Sequence, residues 1–349
     1  MKAALFYGGV DIRVQEVATP SPGPGQVLVR VDAAGVCGSD LHGYRNHSPS
    51  PGQPTMKGHE LAGQIAALGS GVEGLETGQR VGVEPGHLVS CGHCRWCRRG
   101  DTQLCPDLGQ MGGTRIHSTG FAEYSLESAA NCYPLPDDLS TEQAAILDVY
   151  AVAVHAIHRV PMSPVDTVAI LGTGAIGLAT AQVAKAAGAG KVIVVGRRAA
   201  PLELARQIGC DETVNASQLN IGEAVRTLTK GRGADVVFEA VGGVAPTLVQ
   251  AIEATARGGR VGVIGAFREP QGLDSQLCMR KELSLHWVWS YGLWHGVPEY
   301  QIALDMLVGG RVTAAPLITH RFSLAHIGEA FAAAADKHRS GAIKVLVIP

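Results

Sequence analysis

Three groups of residues carry chemistry by type and spacing. The first is Val36-Cys37-Gly38-Ser39-Asp40-Leu41-His42 with Gly58-His59-Glu60. It offers a thiolate, an imidazole and a carboxylate, the three ligand types zinc takes, with a hydroxyl and a second imidazole close by. By themselves Cys37 and His59 fit core packing as readily as metal binding. The second group is Cys91, Cys94, Cys97 and Cys105, spaced C-x2-C-x2-C-x7-C. Four thiols at this spacing suit a closed tetrahedral zinc site, which leaves no open position and would be structural. An iron–sulfur cluster has similar spacings, and a zinc ribbon for nucleic acid is a third reading. Arg95, Arg98 and Arg99 are few, and the net charge is −2, which disfavours the ribbon. Cys132, Cys210 and Cys278 have no such neighbours and read as packing residues.

The third group is Gly172-Thr173-Gly174-Ala175-Ile176-Gly177, a G-x-G-x-x-G turn. The pattern is weak alone in a chain with 45 glycines. Here it follows the apolar run Val168-Ala169-Ile170-Leu171 and opens a helix, the context a dinucleotide site requires. Gly172 makes the tight turn, Gly174 lets a pyrophosphate approach the backbone, and Gly177 lets helix pack on strand. Ala175 and Ile176 begin a helix whose N-terminus faces the phosphate charge. An NAD site commonly places an acid at the end of the next strand. This chain has Gly196-Arg197-Arg198 there, with no acid before Glu203. The missing carboxylate and two guanidinium groups suit a 2′-phosphate, so NADP is favoured over NAD.

The elements that must position these groups are legible in outline. With 349 residues, 46% of them apolar and 17% charged, the chain is globular and long enough for two domains. Lys plus Arg number 29 against 31 acids, which argues against a nucleic-acid surface. No run approaches the roughly 18 apolar residues of a membrane span. Met1-Lys2-Ala3-Ala4-Leu5-Phe6-Tyr7 is too short in its apolar run for a signal peptide and reads as a strand. A cytoplasmic location is expected, where eight cysteines point to metal or catalysis before disulfides.

The first third has short strands, such as Val27 to Val31, Leu61 to Leu68 and Arg80 to Val83, between Gly/Pro turns, as in a small barrel or sandwich. Ser140-Thr141-Glu142 caps a helix expected over Gln143 to Ile157. From Thr167 to about His286 strands alternate with helices, which predicts a doubly wound parallel sheet. After about Val297 come a helix, a strand, an Ala-rich helix and a last strand, Ile343 to Ile348.

In combination the chain resembles the zinc-containing medium-chain dehydrogenase/reductases over nearly its whole length. The resemblance rests on Cys37-Gly38-Ser39-Asp40-Leu41-His42, Gly58-His59-Glu60, the four-cysteine lobe, Gly120-Phe121-Ala122-Glu123-Tyr124 and the glycine turn, in that order. The segment Ala145 to Tyr150, followed by Ala153-Val154-His155, looks most like the polyol and threonine dehydrogenase branch. The resemblance implies a GroES-like β-barrel catalytic domain over residues 1–150, with the cysteine lobe at about 86–110. It implies a Rossmann domain over 151–295, a return to the catalytic domain over 296–349, and an active site in the cleft. It makes Cys37 and His59 ligands of a catalytic zinc, with Glu60 or Asp148 completing the shell. Asp148 stands where that branch usually has Glu, and Asp is one methylene shorter.

The resemblance also makes Ser39 and His42 a proton relay. Zinc as a Lewis acid would acidify a bound alcohol, hydride would pass to nicotinamide, and the proton would leave through Ser39, the cofactor ribose and His42. The nicotinamide would lie near Glu239-Ala240-Val241-Gly242 and Ile264-Gly265-Ala266, so Val241, Ile264 and Gly265 join the expected cofactor residues. Two zinc ions per chain, a secondary alcohol or ketone as substrate, no nucleic acid or membrane partner, and a homotetramer or homodimer follow. Polyol dehydrogenases often carry an Arg where this chain has Ser290-Tyr291-Gly292, which weakens a sorbitol assignment. Trp287, Trp289 and Tyr291 alternate at strand period and are expected in an interface or core before a substrate pocket. The competing functions are a non-catalytic NADPH-binding scaffold and a zinc-free quinone reductase of the same fold.

Overall fold

A computed structural model describes residues 1–45, 53–111, 114–115 and 117–349. The chain divides into two compact units. One comprises Met1–Asp148, His295–Leu304 and Ala314–Pro349; the other comprises Val149–Trp294 and Asp305–Thr313. The expected return over 296–349 therefore differs from the structure in one stretch. Residues Asp305–Thr313 belong with the second unit, where Thr313 N and O bond the side chain of Gln182 at 2.7 and 3.2 Å.

The first unit is built on a seven-stranded sheet. Its central strand, Gln26–Gly35, pairs along one side with Glu60–Leu68. On the other side its first half pairs with Tyr124–Ser128 and its last residues with Lys344–Ile348. One strand can serve two neighbours because its register shifts at Leu28/Val29 and Val31/Ala33, where bulges bend it. Leu346, Gly35 and Glu60 thereby lie side by side across three strands. Val29, Val31, Ile65, Val81, Phe121, Phe331 and Val345 are among the apolar side chains that fill the core beneath.

The second unit is a six-stranded sheet in which every pairing is parallel. Its order is Glu212–Asn215, Lys191–Gly196, Thr167–Leu171, Ala234–Glu239, Thr255–Val263, Ser284–Trp287. The chain order reverses between Thr167–Leu171 and Ala234–Glu239, and sheets of this kind bind ligands outside the carboxyl ends of the strands at such a reversal. Thr167–Leu171 is buried throughout, as a continuous apolar run in a parallel sheet should be. The helix that follows, Ala175–Ala186, ends at Gly188 with φ +93°. Only glycine enters that conformation at no steric cost.

Two further local expectations change, a single helix and a strand period carried through to Tyr291. The helix expected over Gln143 to Ile157 is two helices, Thr141–Ala144 and Leu147–Arg159. The first has a full capping box, Ser140 with Gln143, and neither Pro nor Gly marks the break. The aromatic segment also splits: Trp287 and Trp289 are 63% and 58% exposed, while Tyr291 is 2% exposed. Strand alternation does not continue past Trp287, because the Ser284–Trp287 strand ends there and Ser290 takes φ +56°.

Candidate active site

Cys37 lies two residues past the end of the central strand, and Glu60 opens the adjacent strand with His59 just before it. The shifted register brings their ligating atoms within 4.8 Å of one another. His59 is set by the turn before it. Gly58 has φ +104°, its carbonyl accepts from Gly120 N at 2.7 Å, and Lys57 O accepts from Phe121 N at 3.0 Å. The Gly120-Phe121 motif thus acts as the clamp that aims His59.

Two residues absent from the sequence-derived site complete it. Asp40 is buried, accepts from Cys37 N at 3.0 Å through Oδ2, and holds Oδ1 3.9 Å from His59 Nδ1. At 3.9 Å the contact is electrostatic and not a hydrogen bond, and it sets negative charge on the Nδ1 side of the ring. Burial raises the pKa of Asp40, against the opposing pull of His59. Lys344 is buried in the last strand and pairs its Nζ with Glu60 Oε2, while also donating to Val36 O at 3.3 Å. Burial lowers the Lys344 pKa, but Glu60 and Cys37 overcome that and raise it. The pair lies over Gly35, where any side chain would collide with the Glu60 carboxylate and come within 3.1 Å of Lys344 Cε.

Burial likewise disfavours charge on His59, yet Cys37, Asp40 and Asp148 together raise its pKa well above the ordinary range. The surroundings of the imidazole concentrate negative charge. A divalent cation among a thiolate, an imidazole and carboxylates answers the same field, and this donor set fits zinc. Asp148, second residue of Leu147–Arg159, is not in the three-residue cluster, although its charge acts on His59 and Lys344. Ser39 is exposed on the turn after Cys37 and His42 is exposed in the short helix Asp40–Arg45 that follows, with His42 N donating to Ser39 O at 3.2 Å.

The four lobe cysteines converge, with ligating atoms within 4.8 Å. The Sγ–Sγ separations of Cys94–Cys97 and Cys91–Cys97 are 3.5 and 3.9 Å. A tetrahedron of Zn–S bonds about 2.3 Å long has an edge of about 3.8 Å, so the spacing fits a metal and is far too long for a disulfide. Backbone N–H groups of His93 and Cys94 pull the Cys91 thiol down to about 6. Trp96 is flanked by Arg95 and Arg99, whose guanidinium carbons lie 4.7 and 5.4 Å from its ring centre. Two of the three lobe arginines are therefore engaged with the lobe's own tryptophan.

In the second unit the glycine turn is shaped to admit a ligand. Gly172 has φ +124° and bonds Val195 O at 2.8 Å, and a side chain on Gly177 would strike Gly172 O. Gly174 caps the helix begun by Ala175 and Ile176, and its side-chain direction opens onto empty space, a cradle that a Cβ would fill. That geometry fits a pyrophosphate. Gly196 pairs with Asn215, and Thr173 packs where its side chain would be. Arg197 is exposed and Arg198 half-buried, its pKa lowered by burial. Val241 is exposed, and Ile264 and Gly265 are half-buried.

The comparisons agree with this geometry. Residues 23–137 match the family model of the alcohol dehydrogenase GroES-like domain, and residues 175–308 match that of the zinc-binding dehydrogenases. Sorbitol dehydrogenase of Bacillus subtilis (strain 168) is 33% identical over 353 residues, covering 100% of this chain and 97% of that one. The chain belongs to the zinc-type medium-chain dehydrogenase/reductases.

As a member of this family it is an NAD(P)-dependent alcohol dehydrogenase with a GroES-like domain and a Rossmann domain. Two solved relatives carry different cofactors. A Sinorhizobium meliloti 1021 protein solved with NADP is 32% identical, with a TM-score of 0.87 over 100% of this chain and 99% of its own. A short chain alcohol dehydrogenase from Escherichia coli CFT073 solved with NADH is 30% identical, with a TM-score of 0.87 and the same coverage.

Beside the cysteine–histidine–glutamate cluster of this dehydrogenase lies a cavity of about 150 Å³, whose lining includes Asp40, His59, His87, His117 and Ser118. His87 meets His59 edge-on, ring centres 5.5 Å apart. Burial, then His59 and His117, push His87 down to about 4, leaving a neutral ring that both donates and accepts. Ser118 accepts from Gly86 N at 2.8 Å and donates to the buried Glu127 at 2.9 Å. Sequence reading missed these residues because single histidines and serines have no local signature, and the fold alone brings them together.

Proposed function

We propose that the protein transfers hydride between a secondary alcohol and NADP, in preference to NAD. The substrate class is a polyol, sugar alcohol, diol or hydroxy amino acid such as threonine. The observation that carries the reading is the cluster of Cys37, His59 and Glu60, backed by Asp40 and Lys344. The polar cavity beside it supports a substrate with further hydroxyl groups. The acid-free turn Gly196-Arg197-Arg198 supports NADP.

Cys37, His59 and either Glu60 or Asp148 would hold the catalytic zinc, and Cys91, Cys94, Cys97 and Cys105 a structural one. Bound zinc supplies Lewis acidity and the dinucleotide supplies the hydride acceptor. Ser39 takes the substrate proton and His42, exposed to water, releases it. Asp40 sets negative charge on the Nδ1 side of the His59 ring. Lys344 neutralises Glu60, so that a carboxylate can stay buried at the site without a bound cation. Gly172, Gly174, Ala175, Ile176 and Gly177 would cradle the pyrophosphate, and Val241, Ile264 and Gly265 would border the nicotinamide.

Eight cysteines without a disulfide support a cytoplasmic setting. Among the described residues no helix is long and apolar enough to cross a membrane. The exposed Trp287 and Trp289, on and just beyond the edge strand Ser284–Trp287, support a homo-oligomer, dimer or tetramer. A non-catalytic scaffold would have no use for the Asp40–His59 and Lys344–Glu60 pairs, and a zinc-free quinone reductase none for the cysteine lobe. The test is a spectrophotometric screen of secondary alcohols, diols, polyols and threonine with NAD and NADP in parallel, alongside metal analysis. Turnover with NADP and two zinc ions per chain are expected. A strong preference for NAD would overturn the cofactor choice, and fewer than two zinc ions would overturn the metal assignment.

A further inference from the structure

Glu239 ends the Ala234–Glu239 strand and is fully buried. Three donors converge on its Oε1: Val241 N at 2.8 Å, Gly242 N at 2.9 Å and Thr247 Oγ1 at 2.7 Å. Its carbonyl accepts from Ile264 N at 2.8 Å and Gly265 N at 3.0 Å. Gly243 N bonds Ala266 O at 2.8 Å, and Arg268 N bonds Gly243 O at 3.0 Å. This one residue therefore ties together the turns that leave two neighbouring strands at the carboxyl end of the sheet.

The other oxygen, Oε2, has no hydrogen-bond partner among the described residues. It lies against Gly265, where any side chain would run into it. A buried acceptor without a donor is costly, and an amide oxygen would take the same three bonds without a charge. What the carboxylate adds, and glutamine would not, is a negative charge. Among the described residues no lysine or arginine pairs with it. A charge in dry protein acts strongly on whatever binds nearby.

We propose that Glu239 sets the balance between the two oxidation states of the bound dinucleotide. Its buried charge favours the oxidised nicotinamide, which is cationic, over the reduced ring, which is neutral. The effect biases the protein toward holding the cofactor in its oxidised form, and by stabilising that form it makes the bound ring a weaker hydride acceptor. This rests on the reading that the nicotinamide lies at the 240–243 and 264–268 turns.

The test compares dissociation constants of NADP+ and NADPH for the zinc-loaded protein by fluorescence titration, without turnover. In Glu239→Gln the ratio of oxidised to reduced dissociation constants should rise about threefold or more, as expected for removing one charge near the ring even with strong solvent screening. Glu239→Thr makes the same measurement if the glutamine variant does not fold. Glu239→Asp keeps the charge and should hold the ratio within about twofold of wild type. Thr247→Val loosens the turn with the charge in place, and should weaken both forms alike. A ratio unmoved in the neutral variants, or moved equally by Thr247→Val, overturns the proposal and leaves the dinucleotide site standing. Wild-type protein that binds neither dinucleotide overturns both.

Discussion

Lys344 and Glu60 form a buried ion pair over Gly35, with side chains only 4% and 1% exposed, although they come from opposite ends of the chain. The last strand therefore does more than close the sheet. It delivers the cation that lets a carboxylate remain beside Cys37 and His59.

Removing that cation should be expensive. Lys344→Met leaves Glu60 buried without a counter-charge and should cost about 3–5 kcal/mol. Adding Glu60→Gln to Lys344→Met should restore much of the loss, since the stranded charge is gone. Chemical denaturation of the single and double variants measures both effects. Equal stability of the two variants would show that the loss is packing alone.

The two proposed metal sites should separate cleanly. Asp40→Asn removes the charge beside the His59 ring and should lower affinity for one zinc by about 10- to 100-fold, as loss of such outer partners generally does. Cys94→Ser should remove the other zinc and destabilise the lobe. Stepwise chelation with an optical zinc indicator reads each site, and the Asp40→Asn protein should still retain its lobe metal.

Glu127 gives the fold a pH dependence. Burial raises its pKa to about 7, against the hydrogen bonds from Ser125 and Ser118 that act to lower it. A carboxyl whose folded pKa exceeds its unfolded value binds more protons when folded. Stability from this group is thus greatest below about pH 4.5 and falls as pH rises toward about 7. Glu84, also raised to about 7 by burial, adds in the same sense. Glu127→Gln should be more stable than wild type at pH 8 by about 1–3 kcal/mol, with the gap closing toward pH 5. Thermal melts across that range check it, and a constant gap would sink the assignment.

Cofactor choice should resist a single substitution. Placing an acid at Gly196 is the obvious route to NAD, but Thr173 already occupies the space. Gly196→Asp alone should therefore destabilise the domain, and should bind NAD well only with Thr173→Ala. Arg197→Ala with Arg198→Ala should weaken NADP by about tenfold or more, as the loss of charge-assisted phosphate bonds implies, and leave NAD nearly unchanged. Dissociation constants for the two dinucleotides decide the point.

The sequence by itself determined the parts whose signal is local. Four cysteines within fifteen residues and a glycine turn between a strand and a helix each point to their chemistry through spacing, whereas Cys37 with His59-Glu60 stays open between packing and metal binding when read alone. The parallel sheet was legible too, because strands buried on both faces are continuous apolar runs separated by helices. Tertiary structure alone decided what long-range register brings together. The bulged central strand sets Glu60 beside Gly35 and the last strand, and so gives Lys344 a partner. Gly86 N bonds Ser118, Ser118 in turn bonds Glu127, and His87 comes to lie beside His59. Glu239 joins two turns that no local pattern relates. The reason is physical: spacing along the chain encodes contacts within a turn, whereas contacts between distant strands depend on bulges and on side chains that glycine leaves out. Cys37 and His59, ambiguous as isolated residues, acquire a defined setting only when Asp40 and Lys344 are placed around them.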